Sequence, residues 1–238
     1  MPKLIFITGS SRGIGLAIAR EFAQQGNKVI LNGYTDQVQL DVAKKELSTD
    51  GFLADMSDYS QAQAVFNEIQ TNYGSIDVLI NNAGMAHFGL FSDMHPDEWE
   101  RVLHHNLYST LNATHLALPD MVHAKRGAII NISSVWGNTG ASCEAVYAAA
   151  KGAVHAFTRS MAQELGPSNI RVNAIACGAI ETRMNARLSP EEKEFFTEKI
   201  PLMRFGKPVE VAKMVIFLAS DEASYLTGQV ISLDGGLQ

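Results

Sequence analysis

Residues 4–15 read LIFITGSSRGIG, and this stretch decides the fold class. The apolar run at 4–8 predicts a buried β-strand, and the glycines after it predict a tight turn into a helix over 13–25. Such a turn lets a pyrophosphate approach the free N–H groups at the helix N-terminus. The spacing is Gly-x3-Gly-x-Gly, which a strand-to-helix turn without a ligand can also show. The candidate dinucleotide-binding residues of this loop are Gly9, Ser11, Arg12, Gly13, Ile14 and Gly15.

Short apolar runs alternate with longer helical stretches along the whole chain. Strands are predicted at 4–8, 28–32, 51–54, 76–81, 127–133, 170–176 and 229–233, and helices at 13–25, 36–47, 60–73, 97–123, 146–165 and 208–220. This order is typical of βαβ units, so we expect an α/β fold whose parallel sheet is covered by helices on both faces. No linker or internal repeat interrupts the alternation, which predicts one domain over residues 1–238.

The least regular part of the chain follows the sixth predicted strand. Three prolines, at positions 190, 201 and 208, interrupt a charged segment that otherwise favours helix. Ligands of open α/β sheets bind beyond the carboxyl ends of the strands. The sequence therefore predicts a mobile substrate lid at about residues 183–208.

The composition excludes several classes of protein. The chain has 238 residues with 19 Lys+Arg against 25 Asp+Glu, and 46% of its residues are hydrophobic while 18% are charged. Such a composition argues against disorder, and the net charge of −6 argues against binding to nucleic acid or anionic membranes. Two cysteines are too few for a disulfide framework, and no signal peptide or membrane span is evident. A cytoplasmic location is therefore predicted.

The end of the second predicted strand bears on the choice between NAD and NADP. The strand ends at Asn32, and no carboxylate stands where NAD-binding folds place their ribose-binding acid. Asp36 lies past the strand, three residues before Gln39, and this spacing predicts a helix cap. Because Arg12 offers a partner for a 2′-phosphate, NADP(H) is favoured over NAD(H).

A second group of polar residues follows the fifth predicted strand. Ser134 precedes Tyr147 by 13 residues, and Lys151 follows Tyr147 at i+4. On a helix over 146–165, the phenol and the ammonium share one face. Each residue also has a structural interpretation, since Ser134 can end a strand and Tyr147 can anchor a helix through its hydroxyl.

Five motifs in order make the chain resemble the short-chain dehydrogenase/reductase family. They are TGSSRGIG at 8–15, NNAG at 81–84, Asn106, Ser134 and YAAAK at 147–151. The resemblance covers the whole chain. It implies a Rossmann-like doubly wound fold with a seven-stranded sheet of order 3-2-1-4-5-6-7. It also implies an NAD(P)-dependent oxidoreductase that interconverts carbonyl and CH–OH groups.

The resemblance assigns roles to four residues. Tyr147 is implied as the general acid in carbonyl reduction, Ser134 as a hydrogen-bond donor to the substrate oxygen, and Asn106 as the holder of a relay water. Asn106 can instead form a plain interhelical hydrogen bond. A tyrosine has a pKa near 10, and lowering it to about 7 requires roughly 4 kcal/mol of preferential phenolate stabilisation. Lys151 has the correct charge for this and is also implied to bind the nicotinamide ribose.

The resemblance also extends the cofactor site beyond the glycine loop. The further implied residues are Asn32, Asp55, Met56, Asn82, Ala83, Gly84, Tyr147, Lys151, Gly178, Ile180 and Thr182. One departure is Cys177, which stands where the family usually has proline before Gly178. The change restores an N–H and frees φ, so a looser loop is expected there, and Cys177 is interpreted as a small buried hydrophobic residue. The seven histidines lack ligand spacing, so no metal site is predicted.

Two segments bear on the substrate. Residues 204–236 are similar to bacterial 3-oxoacyl-[acyl carrier protein] reductases, which implies reduction of a 3-oxoacyl thioester by NADPH in fatty acid synthesis. The stretch WGNTGASCE at 136–144 resembles reductases that act on the 5-aminopentanone modification of elongation factor P, which implies a protein substrate. Another small ketone or alcohol is a further alternative. A nucleotide-binding scaffold without turnover is the contrasting class.

Partners are predicted on weaker patterns. Lys125 and Arg126 can meet an acidic carrier protein, or they can be ordinary solvated residues. The resemblance implies a homotetramer whose main interface is built from the helices at 97–123 and 146–165. Small side chains that suit such packing, or packing within one chain, are Ala148, Ala149, Ala150 and Ala153.

Overall fold

The seven predicted strands form one parallel sheet. The computed structural model describes residues 2–186 and 188–237. The strands are β1 (Leu4–Ile7), β2 (Lys28–Gly33), β3 (Asp50–Leu53), β4 (Val78–Asn81), β5 (Gly127–Ser134), β6 (Ile170–Cys177) and β7 (Val230–Leu233). Their order is β3-β2-β1-β4-β5-β6-β7, and every neighbouring pair is parallel. The predicted fold class and strand order are confirmed.

Helices cover both faces of this sheet. They are α1 (Gly13–Gln24), α2 (Gln37–Leu47), α3 (Tyr59–Tyr73), α4 (Pro96–Leu103), α5 (Ser109–Ala124), α6 (Trp136–Thr139), α7 (Ala145–Leu165), α8 (Pro190–Glu198) and α9 (Pro208–Ala219). Apolar residues of α1, α2 and α9 pack on one face, and those of α3, α5 and α7 pack on the other.

Strand β1 shows why the sheet needs two layers of helices. Ile5 and Ile7 belong to one core cluster, whereas Leu4 and Phe6 belong to the other. Successive side chains of a strand point to opposite faces, so a continuous apolar run requires cover on both sides. Phe6 makes an edge-to-face contact with Phe66 of α3, with ring centroids 5.3 Å apart.

The predicted helix over 97–123 is interrupted in the structure. A π-helical turn, His104–Tyr108, separates α4 from α5. Within it, the side-chain amide of Asn106 donates to the carbonyl oxygens of Val102, 2.9 Å away, and Met85, 2.7 Å away. A side chain that takes a helix carbonyl competes with the regular backbone hydrogen bonds, and this widens the turn. Periodicity alone does not reveal such a local change.

The segment between β6 and α9 contains a helix that was not predicted. Pro190 does not interrupt α8 but occupies its first turn, where its missing N–H costs nothing. Ser189 caps the helix, accepting from the N–H of Glu192 at 3.1 Å, while the Glu192 carboxylate accepts from the N–H of Ser189 at 2.8 Å. This reciprocal pair explains why the charged segment is helical.

The far end of the predicted lid belongs to the core. Ile200 and Phe205 are buried in a third apolar cluster with Val135. A parallel bridge joins Ile180 to Gly206, so the two ends of the segment meet at the sheet edge. The part that projects over the cleft is therefore shorter than residues 183–208. Its mobility remains a prediction.

Within residues 2–186 and 188–237, no helix is both long and apolar enough to cross a bilayer.

Candidate active site

The carboxyl ends of the central strands open onto a cleft of about 770 Å³. Helix α1 begins there at Gly13 and has no side-chain cap, whereas α2 and α3 are capped by Asp36 and Asp58. The N–H groups of the first turn of α1 therefore have no side-chain acceptor at the point where the helix dipole is positive. This arrangement suits a bound anion such as a pyrophosphate.

The glycine loop is held against the turn that follows β4. The Asn82 side chain donates to the carbonyl oxygens of Thr8 and Gly9, at 3.0 and 2.9 Å. The Thr8 hydroxyl accepts in return from the N–H groups of Asn82 and Ala83, both at 3.0 Å. Gly9 has a φ of +60°, and a Cβ there would lie 2.9 Å from the Ala83 Cα, so only glycine fits.

Four side chains from three elements meet in the same cleft. Ser134 ends β5, Tyr147 and Lys151 lie one turn apart on α7, and Asn106 lies in the π-helical turn. All four are buried. Lys151 Nζ lies 5.6 Å from the centroid of the Tyr147 ring and donates to the Ile132 carbonyl oxygen at 3.1 Å.

Burial controls the protonation of this group. Burial raises the pKa of Tyr147 well above its ordinary value, and a hydrogen bond with Ser134 lowers it by less. Burial lowers the pKa of Lys151 to about 8. Without a bound ligand the phenol is therefore protonated at neutral pH, as a general acid must be. The lowered tyrosine pKa expected from the sequence is not a property of these residues alone.

Asn106 provides a test of whether the cleft suits a polar ligand. Its Oδ1 atom is completely buried and has no hydrogen-bond partner among the described residues. A Cβ at Gly84 would lie 2.6 Å from this oxygen and 3.5 Å from Lys151 Nζ. A buried acceptor of this kind requires a donor, which a water or a ligand in the cleft would supply. The residues therefore fit a polar cofactor.

A second cavity of about 360 Å³ adjoins the cleft. Its apolar lining includes Trp136, Phe196 and Phe205, and its volume suits a small ligand. Ser134 and Tyr147 line both cavities, so they stand where the two spaces meet.

Comparison with known proteins gives the same result over the whole chain. A family model described as enoyl-(acyl carrier protein) reductase matches residues 9–238. The chain is 42% identical to the 3-oxoacyl-[acyl-carrier-protein] reductase FabG of Thermotoga maritima, covering 99% of this chain and 97% of that protein. The chain belongs to the short-chain dehydrogenase/reductase family. Members are oxidoreductases that act on CH–OH groups with a nicotinamide cofactor, so this chain is an enzyme of that class.

Two further relatives agree with the family. The chain is 39% identical to the uncharacterized oxidoreductase YmfI of Bacillus subtilis, covering 99% of each protein. It matches a crystal structure of a 3-oxoacyl-[acyl-carrier protein] reductase from Brucella melitensis at 38% identity with a TM-score of 0.93. That match covers 99% of this chain and 91% of the other.

Most predicted cofactor residues of this family member line the cleft. They are Gly9, Ser11, Arg12, Gly13, Ile14, Asn32, Asp55, Met56, Asn82, Ala83, Gly84, Tyr147, Lys151, Gly178, Ile180 and Thr182. Gly15 is not among the lining residues. A Cβ at Gly15 would lie 2.6 Å from both the Gly9 carbonyl oxygen and Asn82 Nδ2, so this glycine allows α1 to pack against the loop.

Asn32 organises the loop rather than presenting a free amide. Its Oδ1 accepts from the N–H of Gly9 at 3.0 Å, and its Nδ2 donates to carbonyl oxygens of Gly33 and Ala54. A short polar side chain at the end of β2 thus connects β1, β2 and β3.

The end of the cleft beside β2 contains residues that sequence reasoning missed. Tyr34 stacks on His105, with ring centroids 4.9 Å apart, and His105 Nδ1 lies 3.7 Å from an Asp55 carboxylate oxygen. Arg101 lines the same space one helical turn before His105. The i, i+4 spacing of Arg101 and His105, next to Asn106, was the available signal.

Arg12 is not isolated in the structure. Its guanidinium lies 4.0 Å from the carboxylate of Asp36, and both side chains are about half exposed. Asp36 also caps α2, as predicted, by accepting from the N–H of Gln39 at 3.0 Å. A carboxylate therefore stands near the cation that was expected to attract a 2′-phosphate.

Cys177 is part of the sheet and not of a loosened loop. Its carbonyl oxygen accepts from the N–H of Val135, and the next residue, Gly178, donates to the Leu233 carbonyl oxygen, both at 3.0 Å. Burial raises the pKa of the Cys177 thiol to about 12, so the sulfur is protonated. The expectation of a looser backbone is wrong here, and the interpretation as a buried hydrophobic residue agrees with the structure.

The described part of the chain, residues 2–186 and 188–237, contains no group of three or more His, Cys, Asp or Glu side chains able to hold a metal ion.

Proposed function

We propose that this enzyme reduces the carbonyl of a 3-oxoacyl thioester to the 3-hydroxyacyl thioester with NADPH. One observation carries the proposal: Ser134 and Tyr147 lie where a cofactor-sized cleft meets a smaller apolar cavity. Groups at such a junction can reach a carbonyl oxygen while the reacting carbon faces the larger space.

The chain's residues supply proton transfer and charge stabilisation. A bound nicotinamide cofactor would supply the hydride, and the residues listed above for the cleft would hold it. Tyr147 donates its hydroxyl proton to the carbonyl oxygen as negative charge develops there. Ser134 donates a hydrogen bond to the same oxygen. Lys151 stabilises the phenolate that remains, and Asn106 holds a water through its unpaired oxygen, which connects the site to bulk solvent.

The substrate class rests on the cavity and on the relatives. The cavity's aromatic and aliphatic lining suits an acyl chain. The relatives from Thermotoga maritima and Brucella melitensis are named for reduction of 3-oxoacyl groups on the acyl carrier protein. A carrier-bound or coenzyme-bound acyl group is therefore the substrate we propose.

NADPH is proposed over NADH because Arg12 faces the cleft beside β2, where no carboxylate ends the strand. Asp36 opposes this preference through its proximity to Arg12. Arg12→Ala should lower kcat/KM for NADPH more than for NADH, whereas Asp36→Asn should raise the NADPH preference. Equal kcat/KM for the two cofactors in the unmodified enzyme would contradict the assignment.

A second candidate is reduction of an amine-bearing ketone, such as the 5-aminopentanone group on elongation factor P. The described residues that line the smaller cavity include two carboxylates, Glu144 and Glu192, and no lysine or arginine. Carboxylates near a binding site favour a cationic substrate over an anionic one.

One substrate panel separates these candidates. The enzyme and NADPH are mixed with acetoacetyl-CoA, an acetoacetyl carrier protein, ketone-modified elongation factor P and simple ketones. We expect the highest kcat/KM with the thioesters. A preference for the modified protein supports the second candidate. NADPH oxidation with none of them favours a nucleotide-binding scaffold and refutes the proposal.

We also propose a homotetramer in a reducing compartment such as the cytoplasm. Of the four alanines expected at the interface, Ala148 and Ala150 are buried within one chain, while Ala149 is exposed and Ala153 is partly exposed. The exposed side of α7 thus offers small side chains for helix pairing. Light scattering on the purified protein tests this, and a monomer at micromolar concentration would contradict it.

A further inference from the structure

His155 is a buried ionisable residue that the proposed reaction does not use. It lies on α7, four residues after Lys151, and its side chain is only 2% exposed. Its Nε2 atom lies 2.7 Å from the hydroxyl oxygen of Ser133, the residue before Ser134 on β5. A histidine at this depth requires a hydrogen-bond partner, and Ser133 is that partner.

The hydrogen bonds around Ser133 identify the histidine tautomer. The Ser133 hydroxyl donates to the backbone carbonyl oxygen of Lys151 at 3.4 Å. Because a hydroxyl has one proton, the His155 Nε2–H must then donate to the Ser133 oxygen. The bonds therefore run from the His155 ring through Ser133 to the backbone of Lys151.

This chain of hydrogen bonds joins the two elements that carry the reacting groups. Ser134 belongs to β5, whereas Tyr147 and Lys151 belong to α7. The bond from Lys151 Nζ to the Ile132 carbonyl oxygen, 3.1 Å long, joins the same two elements one residue earlier on β5. The distance between Ser134 and Lys151 thus depends on how closely α7 lies against the end of β5.

His155 also supports α6, the short helix that follows Ser134. A Cβ at Gly137 would lie 2.6 Å from His155 Cε1, so the imidazole lies directly beneath this helix. Trp136, the first residue of α6, lines the smaller cavity. The imidazole therefore contacts both sides of the site.

We infer that His155 is a positioning residue for carbonyl reduction, which through Ser133 sets the spacing between Ser134 on β5 and Lys151 on α7. The inference rests on the proposed function. It concerns geometry within this chain and assigns no proton transfer to His155. Small displacements of preorganised groups reduce turnover strongly, so the effect should appear in kcat.

The test compares four variants with a matched control. His155→Leu and Ser133→Ala each break the hydrogen bond, and the double variant breaks it once more without further loss. His155→Gln keeps a side-chain N–H donor at a similar distance. The control, Thr158→Val, breaks the bond of Thr158 with Asn131, which joins the same strand and helix one turn farther from Lys151.

We expect His155→Leu and Ser133→Ala to lower kcat about tenfold, with KM for the ketone and Kd for NADPH within twofold of the unmodified enzyme. The double variant should match the single ones, and His155→Gln should recover most of kcat. Thr158→Val should lower the melting temperature without changing kcat. If His155→Leu does not fold, Ser133→Ala against Thr158→Val decides the question.

Three outcomes would overturn the inference: unchanged kcat in Ser133→Ala, an equal loss in Thr158→Val, or no recovery in His155→Gln. Crystal structures of the unmodified protein and Ser133→Ala give a readout independent of turnover. An unchanged Ser134 to Lys151 distance there overturns the inference even if no substrate is found. An enzyme that reduces no carbonyl while that distance shifts contradicts only the proposed function.

Discussion

At the scale of single residues, Tyr147 is the group on which the proposed chemistry depends. Tyr147→Phe removes one hydroxyl from a buried side chain and should lower kcat/KM by about 10²- to 10⁴-fold, the usual contribution of a general acid. NADPH binding, followed by fluorescence, should persist because the cleft is otherwise intact. Full activity in this variant would refute the mechanism.

The buried imidazole of His155 predicts a pH-dependent stability. Burial, with smaller effects from Arg159 and Lys151, lowers the pKa of His155 to about 4 from its ordinary 6.5. Below pH 6.5 the unfolded chain gains a proton that the folded chain excludes, so this stabilisation is complete above pH 6.5 and is lost as the pH falls towards 4.

Between pH 7 and pH 5 this residue should cost about 2 kcal/mol of unfolding free energy. Urea unfolding at both pH values measures the loss. His155→Gln has no titrating group at this position and should lose less by that amount. Equal pH dependence of the two proteins would show that the histidine is protonated when folded.

At the scale of elements, the contact between α6 and α7 controls the shape of the smaller cavity. A Cβ at Gly137 would lie 2.6 Å from His155 Cε1, 2.8 Å from the Lys151 carbonyl carbon and 2.9 Å from the Gly152 nitrogen. Two of these atoms are helix backbone and cannot move aside. Gly137→Ala should therefore displace α6 and destabilise the protein by about 1–3 kcal/mol.

Thermal unfolding and KM for the ketone both measure this displacement. Gly166→Ala is the control, because a Cβ there meets no atom within 4 Å. We expect the control to change the unfolding free energy by no more than about 0.5 kcal/mol. A Gly137→Ala protein as stable as the control would mean that α6 is not held against α7.

At the scale of the whole molecule, the basic pair expected to meet a carrier protein lies away from the cleft. Lys125 and Arg126 precede β5, whose eight residues place its two ends roughly 23 Å apart, and Ser134 is at the other end. Arg126 also pairs with Asp77, with an N to O distance of 3.2 Å. Within one chain these cations do not face the reacting groups.

Lys125→Glu should accordingly change kcat/KM for a carrier-bound thioester by less than twofold. The same assay with a coenzyme-bound substrate is the control. A loss of fivefold or more with the carrier-bound substrate alone would mean that a neighbouring subunit presents Lys125 beside the cleft.

The sequence by itself determined the elements and the residues near the reacting centre. Apolar runs with helical stretches between them are local patterns, so all seven strands lie within two residues of their predicted positions. Ser134, Tyr147, Lys151 and Asn106 line one cleft as the motifs indicated. Each of these features is encoded by neighbouring residues or by a fixed motif.

Only the tertiary structure decided the features that depend on residues far apart in the chain. The π-helical turn arises where Asn106 reaches Met85, the packing role of Gly15 depends on Asn82, and the bond of His155 with Ser133 joins residues 22 positions apart. The placement of Asp36 beside Arg12 likewise follows from the packing of separate elements. Periodicity describes one element at a time, whereas burial and hydrogen bonding act between elements, and this is why these contacts required the folded chain.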